Sequence, residues 1–352
     1  MKYQDVDHPP FLNDGPWSET MARWKREGYP EGVSYDDFFG VETLTFEYAG
    51  LDTNVFPPFE EKILSETETE IVKIDSCGRK VRDFKDHITM PEWLEFPVKN
   101  RDDLALVLKE HFDVSLLEKR WPPDWEKRIR KWNVPDRETV LFLDGGCLFG
   151  ILRNLAGVEY SSYLFYDAPD LVDELFERIH YVCKEGLKRV LGRVPVDYLG
   201  FGDDIAFKTS TLISPAMFRR FLLPRYKNVV SYARDHGLDI VSYDSDGNLN
   251  PLMDLYFEAG VDGFLPCEVA ADMDPVDLRR RYGKRIKMIG GLDKREIARG
   301  KEAILRELKK VPPLIAEGGY IPKIDHSVPA DVSLDNFRFY IDELKKLYET
   351  AG

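Results

Sequence analysis

An α/β fold of the TIM type, a closed (β/α)8 barrel with an N-terminal helical and β-hairpin extension, is the architecture that this sequence predicts. Three observations lead to it. From about residue 138 onward one unit recurs: a short apolar run, a polar loop, an amphipathic helix, a glycine, then the next apolar run. The runs have the length and the β-branched or aromatic content of strands buried on both faces. The loops that follow them are polar and acidic, as the carboxyl ends of barrel strands are. The open doubly wound alternative would announce itself by a glycine-rich dinucleotide loop. Here Gly200-Phe-Gly-Asp-Asp-Ile205 carries Ile where the third glycine should stand.

Each element has its own warrant. In residues 1–137, Trp17 to Lys25 reads as a helix and Thr43 to Tyr48 as the first barrel strand. Ile71–Ile74 and Lys80–Arg82 read as a hairpin around Asp75-Ser-Cys-Gly78, which has turn chemistry. Asp102 to His111 and Trp121 to Lys131 read as helices. No Ser/Gly linker follows, so residues 1–352 are expected to form one domain, with 1–137 as extension, hairpin and first strand and 138–352 as regular β/α units. Further strands are expected at Thr139–Asp144, Val196–Phe201, Asp239–Tyr243, Val261–Leu265, Ile286–Ile289 and Tyr320–Ile324. Ser214, Asn250 and Asp274 each place a capping side chain before a proline at the first helical position. Gly192, Gly237, Gly260, Gly283 and Gly319 stand where a left-handed C-cap turns the chain into the next strand. Leu171, Val172, Leu175, Phe176, Ile179, Val182 and Cys183 keep helical spacing. Strand–helix alternation implies a parallel sheet with right-handed crossovers.

Charge narrows the function classes. The 49 basic and 63 acidic residues leave a net charge of −14, which repels nucleic-acid backbones and anionic lipid. No run approaches the roughly 20 apolar residues of a membrane helix, and the polar start lacks a signal-peptide core, so a cytoplasmic protein is expected. Cys77, Cys147, Cys183 and Cys267 form no C-x-x-C pair and are expected as free thiols. A monomer and a homodimer both remain open.

The active site of such a barrel forms at the carboxyl ends of its strands. The residues there are Asp203, Asp204 and Lys208; Asp244 and Asp246; Glu268 and Asp272; Asp293; and Asp325 with His326. So many carboxylates at one mouth need cations, hydrogen bonds or raised pKa values in compensation. Asp203 and Asp204 could equally cap a loop. Asp244 and Asp246 are two apart, so an extended strand end presents both to one side, although an Asx turn into Gly247 would use the same residues. If Asp244, Asp246 and His326 converge, two oxygens and one nitrogen suit a divalent metal such as Zn²⁺ with an open position. Without metal they form an acid/base set.

One further signal lies in the order of the motifs. Asp197-Tyr-Leu-Gly-Phe-Gly-Asp-Asp204, Ser214-Pro-Ala-Met-Phe-Arg-Arg-Phe-Leu-Leu-Pro-Arg225 and Tyr243-Asp-Ser-Asp-Gly-Asn248 are followed by Gly260-Val-Asp-Gly-Phe-Leu-Pro266, Ile289-Gly-Gly-Leu-Asp293 and Gly318-Gly-Tyr-Ile-Pro322. From Val196 to Glu349 the chain resembles the uroporphyrinogen decarboxylase superfamily, which also holds methyltransferases that work with corrinoid proteins. Weaker similarity runs back through Glu92–Pro97 and Arg23–Gly28. The resemblance implies a (β/α)8 barrel. True decarboxylases carry an Arg-Gln-Ala-Gly-Arg-Tyr clamp near the N-terminus, of which only Arg23, Arg26 and Gly28-Tyr29 survive here. Thiol-directed methyltransferases place His-x-Cys and a later Cys at positions matching Asp244, Asp246 and His326. The harder Asp/Asp/His set disfavours thiol activation.

The resemblance thus implies transfer of a methyl group between a corrinoid, carried by a partner protein, and a small O- or N-centred substrate or tetrahydrofolate. Catalytic roles fall to Asp246, His326, Glu268 and Asp203. Substrate contacts fall to Asp204, Lys208, Tyr243, Asp293 and Arg26, and Asp244, Asp246 and His326 are the metal ligands if a metal is present. Two other readings are a carboxy-lyase acting on a carboxylated aromatic or pyrrole, with Arg23, Arg26, Lys208 or Arg225 on the carboxylates, and a non-catalytic ligand-binding barrel.

Overall fold

The computed structural model describes residues 1, 3, 9–42, 44–85 and 90–351. Seven strands form one sheet: β1 Phe46–Tyr48, β2 Val140–Asp144, β3 Tyr198–Gly202, β4 Val241–Asp244, β5 Gly263–Leu265, β6 Lys287–Leu292 and β7 Tyr320–Ile324. They lie side by side in chain order and every pairing is parallel. A helix layer follows each crossover, and Leu141, Leu143, Leu199, Phe201, Val241 and Tyr243 bury one face of the sheet.

Of the expected ring of eight strands, seven form this sheet among the described residues. Among the described residues the edge strands β1 and β7 are not hydrogen-bonded to each other. The segment from Phe11 to Pro16 touches both sides of this seam. Glu42 donates its N–H to the Phe11 carbonyl at 2.9 Å just before β1. Ile324 of β7 donates to Asn13 Oδ1 at 3.3 Å, and Lys323 pairs with Asp14 at 2.5 Å. Pro16 and Val328 form a parallel bridge. Pro9 and Pro10 precede this segment and Gly15 interrupts it, and neither residue type favours a regular strand.

The first strand is shorter than expected, starting at Phe46, and Thr43 lies outside the described residues. The expected hairpin is real but belongs to a four-stranded antiparallel sheet, Lys62–Glu66, Glu70–Ile74, Lys80–Phe84 and Glu92–Glu95. Its turn is held by Asp75 Oδ1, which accepts from the N–H groups of Cys77 and Arg79. Lys62–Glu66 is exposed along its whole length, so it shows no apolar alternation to read. The expected helix over 121–131 starts only at Trp125, because Pro122 and Pro123 intervene. Helix Leu148–Asp167 escaped the sequence reading. It is buried on most sides and so lacks a polar stripe. It kinks at Gly157, whose φ of 74° suits only glycine, and a Cβ there would meet the Phe96 ring at 2.7 Å.

The N-terminal helix Ser18–Arg26 packs on the C-terminal helix Leu334–Ala351. Trp24 is fully buried, its centroid 5.0 Å from that of Phe337, and its Nε1–H donates to the Val332 carbonyl at 2.9 Å. Thr20 Oγ1 donates to the Val328 carbonyl at 2.7 Å. These contacts close the seam from outside. Among the described residues no helix is long and apolar enough to cross a membrane. Replacing Trp24 by Ala would open a void beside the seam and cost about 3–5 kcal/mol. A chemical-denaturation midpoint that does not move would overturn the assignment of Trp24 as its anchor.

Candidate active site

In a parallel sheet residues two apart share a face, and the registers place three layers on the face opposite the helices. Tyr48, Phe142 and Tyr198 form the first. Asp144, Gly200 and Ser242 form the second, and Gly202, Asp244 and Leu265 the third. The two glycines of β3 leave the centre without side chains, and a cavity of about 840 Å³ occupies the space. Its walls include all nine of these residues, joined by Thr53, Arg120 and Trp121 from the segments after β1.

Two carboxylates, Asp144 on β2 and Asp244 on β4, border that gap. Asp144 accepts from the Thr53 hydroxyl and, through Oδ1, from the Gly146 N–H at 2.9 Å. Burial pushes its pKa up. Asp244 is open to water through the cavity but walled by protein. Burial first, and repulsion from Asp246 second, push it up to about 6, against a downward pull from Lys323. Tyr198 is pushed up to about 12 by burial and by the Asp244 charge. Asp244 thus takes up its proton below about pH 6, and burial shifts Asp144 in the same direction.

Beside Asp244 stands the pair expected from the sequence. His326 Nε2 lies 3.5 Å from Asp246 Oδ2, an ion-pair contact at the edge of hydrogen-bond distance. It holds Asp246 below the usual range and raises His326. The His326 ring also stacks on Trp17, with centroids 5.9 Å apart and planes at 22°. Asp244 is thus adjacent to this pair, but the three expected metal ligands do not share a centre. Among the described residues no group of three or more His, Cys, Asp and Glu side chains is placed to hold a metal ion. The residues do not fit a resident metal: His326 is committed to Asp246 and Trp17, while Asp244 lines the cavity with Tyr198.

The other candidates divide by their partners. Asp203, expected as a catalytic group, is 2% exposed and instead holds the N–H groups at the start of helix Leu148–Asp167. It accepts from the Phe149 N–H at 3.1 Å, the Gly150 N–H and the Tyr226 hydroxyl at 2.9 Å, while burial holds its pKa near 6. Tyr243, expected to touch substrate, is fully buried against Tyr256, with centroids 4.2 Å apart. Its side chain points to the helix side of the sheet because it is one residue out of phase with Ser242 and Asp244. Asp293 caps helix Lys294–Arg299 and pairs with Arg295 at 2.7 Å. Asp325 is fully buried, accepts from the N–H groups of Val269 and Lys294, and is pushed by burial to about 6. Glu268 binds Lys294 at 2.8 Å and the Gly247 N–H at 3.3 Å. Asp204 pairs with Arg153 at 3.0 Å. Lys208 is exposed at the tip of a ribbon formed by Ala206–Phe207 and Ser210–Thr211, and Arg26 is exposed on the N-terminal helix. Neither lines the cavity.

The sequence reading passed over Asp144, Tyr48, Phe142, Tyr198 and Thr53. A usable signal existed for Asp144: it ends an apolar strand run and is followed by Gly145-Gly146, much as Asp244 ends its own.

Comparison with known proteins adds the lineage. The family described as Uroporphyrinogen decarboxylase (URO-D) matches residues 149–347, more than half of the 352. The chain belongs to the uroporphyrinogen decarboxylase family. The matched stretch begins in the helix that Asp203 caps and runs through β3 to β7. No curated protein matches the chain in sequence. Among solved structures, a methyltransferase from Methanosarcina mazei superposes with a TM-score of 0.54 at 15% identity, covering 98% of this chain and 96% of that one. That likeness is one of fold, and it takes in residues outside the matched stretch, β1 and β2 among them. A putative vitamin-B12 independent methionine synthase from Listeria monocytogenes reaches a TM-score of 0.36 at 14% identity, covering 66% of this chain and 69% of that one.

Two measurements test the electrostatics of this family member. His326, raised by Asp246, should titrate above the ordinary histidine value of 6.5 in NMR, and Asp246→Asn should bring it down. An unchanged midpoint would mean that the pair does not form. Asp244 has a folded-state pKa above its unfolded one, so the folded protein binds the extra proton between about pH 4 and 6 and loses stability as pH rises through that window. Asp244→Asn should therefore be more stable than the parent at pH 8, by about 1 kcal/mol after solvent screening. The difference should vanish by about pH 4.

Proposed function

We propose that this chain is a methyltransferase that moves a methyl group between a corrinoid, presented by a partner protein, and a small O- or N-centred substrate or tetrahydrofolate, on a (β/α)8-type scaffold. The observation that carries the reading is the open cavity at the strand ends, with Asp144 and Asp244 on opposite sides of the Gly200–Gly202 gap. Family membership and the fold shared with a methyltransferase support it.

The corrinoid would supply the metal centre that takes or gives the methyl group. The chain's own residues do the rest. Tyr48, Phe142 and Tyr198 form an apolar floor that excludes water from the reacting carbon. When a C–O bond breaks, its electron pair stays on oxygen, and a protonated Asp244 can pass its proton there. Asp144 is fixed in orientation by Thr53 and Gly146 and can hold the substrate's polar end. Asp246, paired with His326, sits outside the floor and acts on Asp244 through its charge.

The cations argue against a polycarboxylate lyase. Arg225 is engaged by Asp173 and Glu177, and Arg23 by Glu27 and the Ala330 carbonyl. Arg26 and Lys208 stand away from the cavity. Of the arginines that do line the cavity, Arg128 is paired with Asp124 and Arg120 is held by the Asp52 and Asn54 carbonyls, while Asp144 and Asp244 border the open space.

The test is methyl transfer with a methylated corrinoid protein and candidate acceptors, followed by the cobalt absorption change. Asp244→Asn is expected to lower kcat by about 10²–10⁴-fold. Unimpaired turnover in an Asp144→Asn, Asp244→Asn double variant, or release of carbon dioxide from a carboxylated substrate, would refute the assignment.

A further inference from the structure

We infer that the cavity recognises a methylated ammonium ion, so that the O- or N-centred substrate is of the N-methylated cation class. The inference rests on the proposed function only in treating this cation as the methyl-bearing reactant.

The first observation is a continuous aromatic strip. Phe142 lies between Tyr48 and Tyr198 on adjacent strands, with both centroid distances 5.6 Å and the Phe142–Tyr198 planes within 17°. The Tyr48 hydroxyl is used by the Leu51 carbonyl at 2.5 Å, which leaves the ring as its contribution to the cavity. Aromatic faces attract a cation whose charge is spread over methyl groups and which has little hydration to lose.

The second observation is the charge balance of the walls. Arg120 is 3% exposed, donates Nη1 to the carbonyls of Asp52 and Asn54, and lies 4.9 Å over the Phe56 ring. Arg128 is paired with Asp124 at 2.8 Å. Arg128 is thus ion-paired, and Arg120 is fixed in place by neutral carbonyls and the Phe56 ring. Asp144 and Asp244 form no ion pair among the described residues, although both line the cavity. Asp244, ionised above about pH 6, leaves a place beside the aromatic floor for one positive charge. A neutral methyl ether would leave it without a counter-charge. A primary ammonium would forgo the floor, because it needs hydrogen-bond acceptors that three rings do not offer.

The third observation is clearance. A Cβ at Gly202 would meet nothing within 4 Å, so the space beside Asp244 is open at the position where a side chain would point into the cavity. A bulky N-methylated head fits there with its methyl carbons towards the rings. If a methyl group then leaves, the N–C bond pair returns to nitrogen, the acceptor's own electron pair bonds the carbon, and the nitrogen product is a neutral amine.

The experiment is calorimetric titration of the full chain with choline and with its neutral isostere 3,3-dimethylbutan-1-ol, which differ in a quaternary nitrogen replaced by carbon. Choline is expected to bind at least tenfold more tightly. Asp244→Asn should weaken choline at least tenfold while leaving the isostere unchanged. Gly202→Val, whose Cβ would meet nothing within 4 Å, should abolish both while keeping the parent's circular dichroism. Equal binding of the two probes, or choline binding unaffected by Gly202→Val, overturns the inference. Methyl transfer from a neutral ether without any choline binding sinks this inference and spares the proposed function. Tight choline binding without methyl transfer does the reverse.

Discussion

The pleat of β3 is the constraint from which the rest of the site follows. Side chains two residues apart share a face, and on this strand the two inward positions above Tyr198 are Gly200 and Gly202. No side chain occupies the middle of the concave face, so the neighbouring strands must end in residues able to border a wet space. They end in Asp144 and Asp244. Their burial follows from the walls of the cavity, and so does the reluctance of both to ionise.

The remaining buried carboxylates obey a different rule. Asp203 and Asp325 sit just past the strand ends on the other phase of the pleat, where loops and helix starts crowd together. Each accepts backbone N–H groups from two positions of the chain distant from its own: Phe149 and Gly150 for Asp203, Val269 and Lys294 for Asp325. A helix start has unpaired N–H groups and a partial positive charge, and a carboxylate satisfies both. These two aspartates thus set where the loops lie, and the loops in turn set the shape of the mouth. One residue of phase separates an anchoring role from an open one.

The lone histidine of the rim follows the same economy. His326 is held between the Trp17 ring and Asp246, so the N-terminal helix reaches the site through stacking. The buried Trp24 contact behind it keeps that helix in place. The seam between β1 and β7 is therefore both a structural join and the support of one functional side chain.

Much of the scaffold was legible in the order of residues. Apolar runs such as Thr139–Asp144, proline-preceded caps and glycine stops are local devices, decided by a residue and its immediate neighbours, and they located all seven strands of the main sheet and most helices. The clustering of carboxylates at strand ends was legible for the same reason. The incomplete closure, helix Leu148–Asp167 and the phase of each carboxylate were not. Whether Asp203 caps a helix or Asp244 borders a cavity depends on a register shift of one residue and on segments more than fifty positions away. Such partners leave no trace in local periodicity, so the chain alone determined which groups gather at the strand ends, and only the packed structure decided which of them remain open to a ligand.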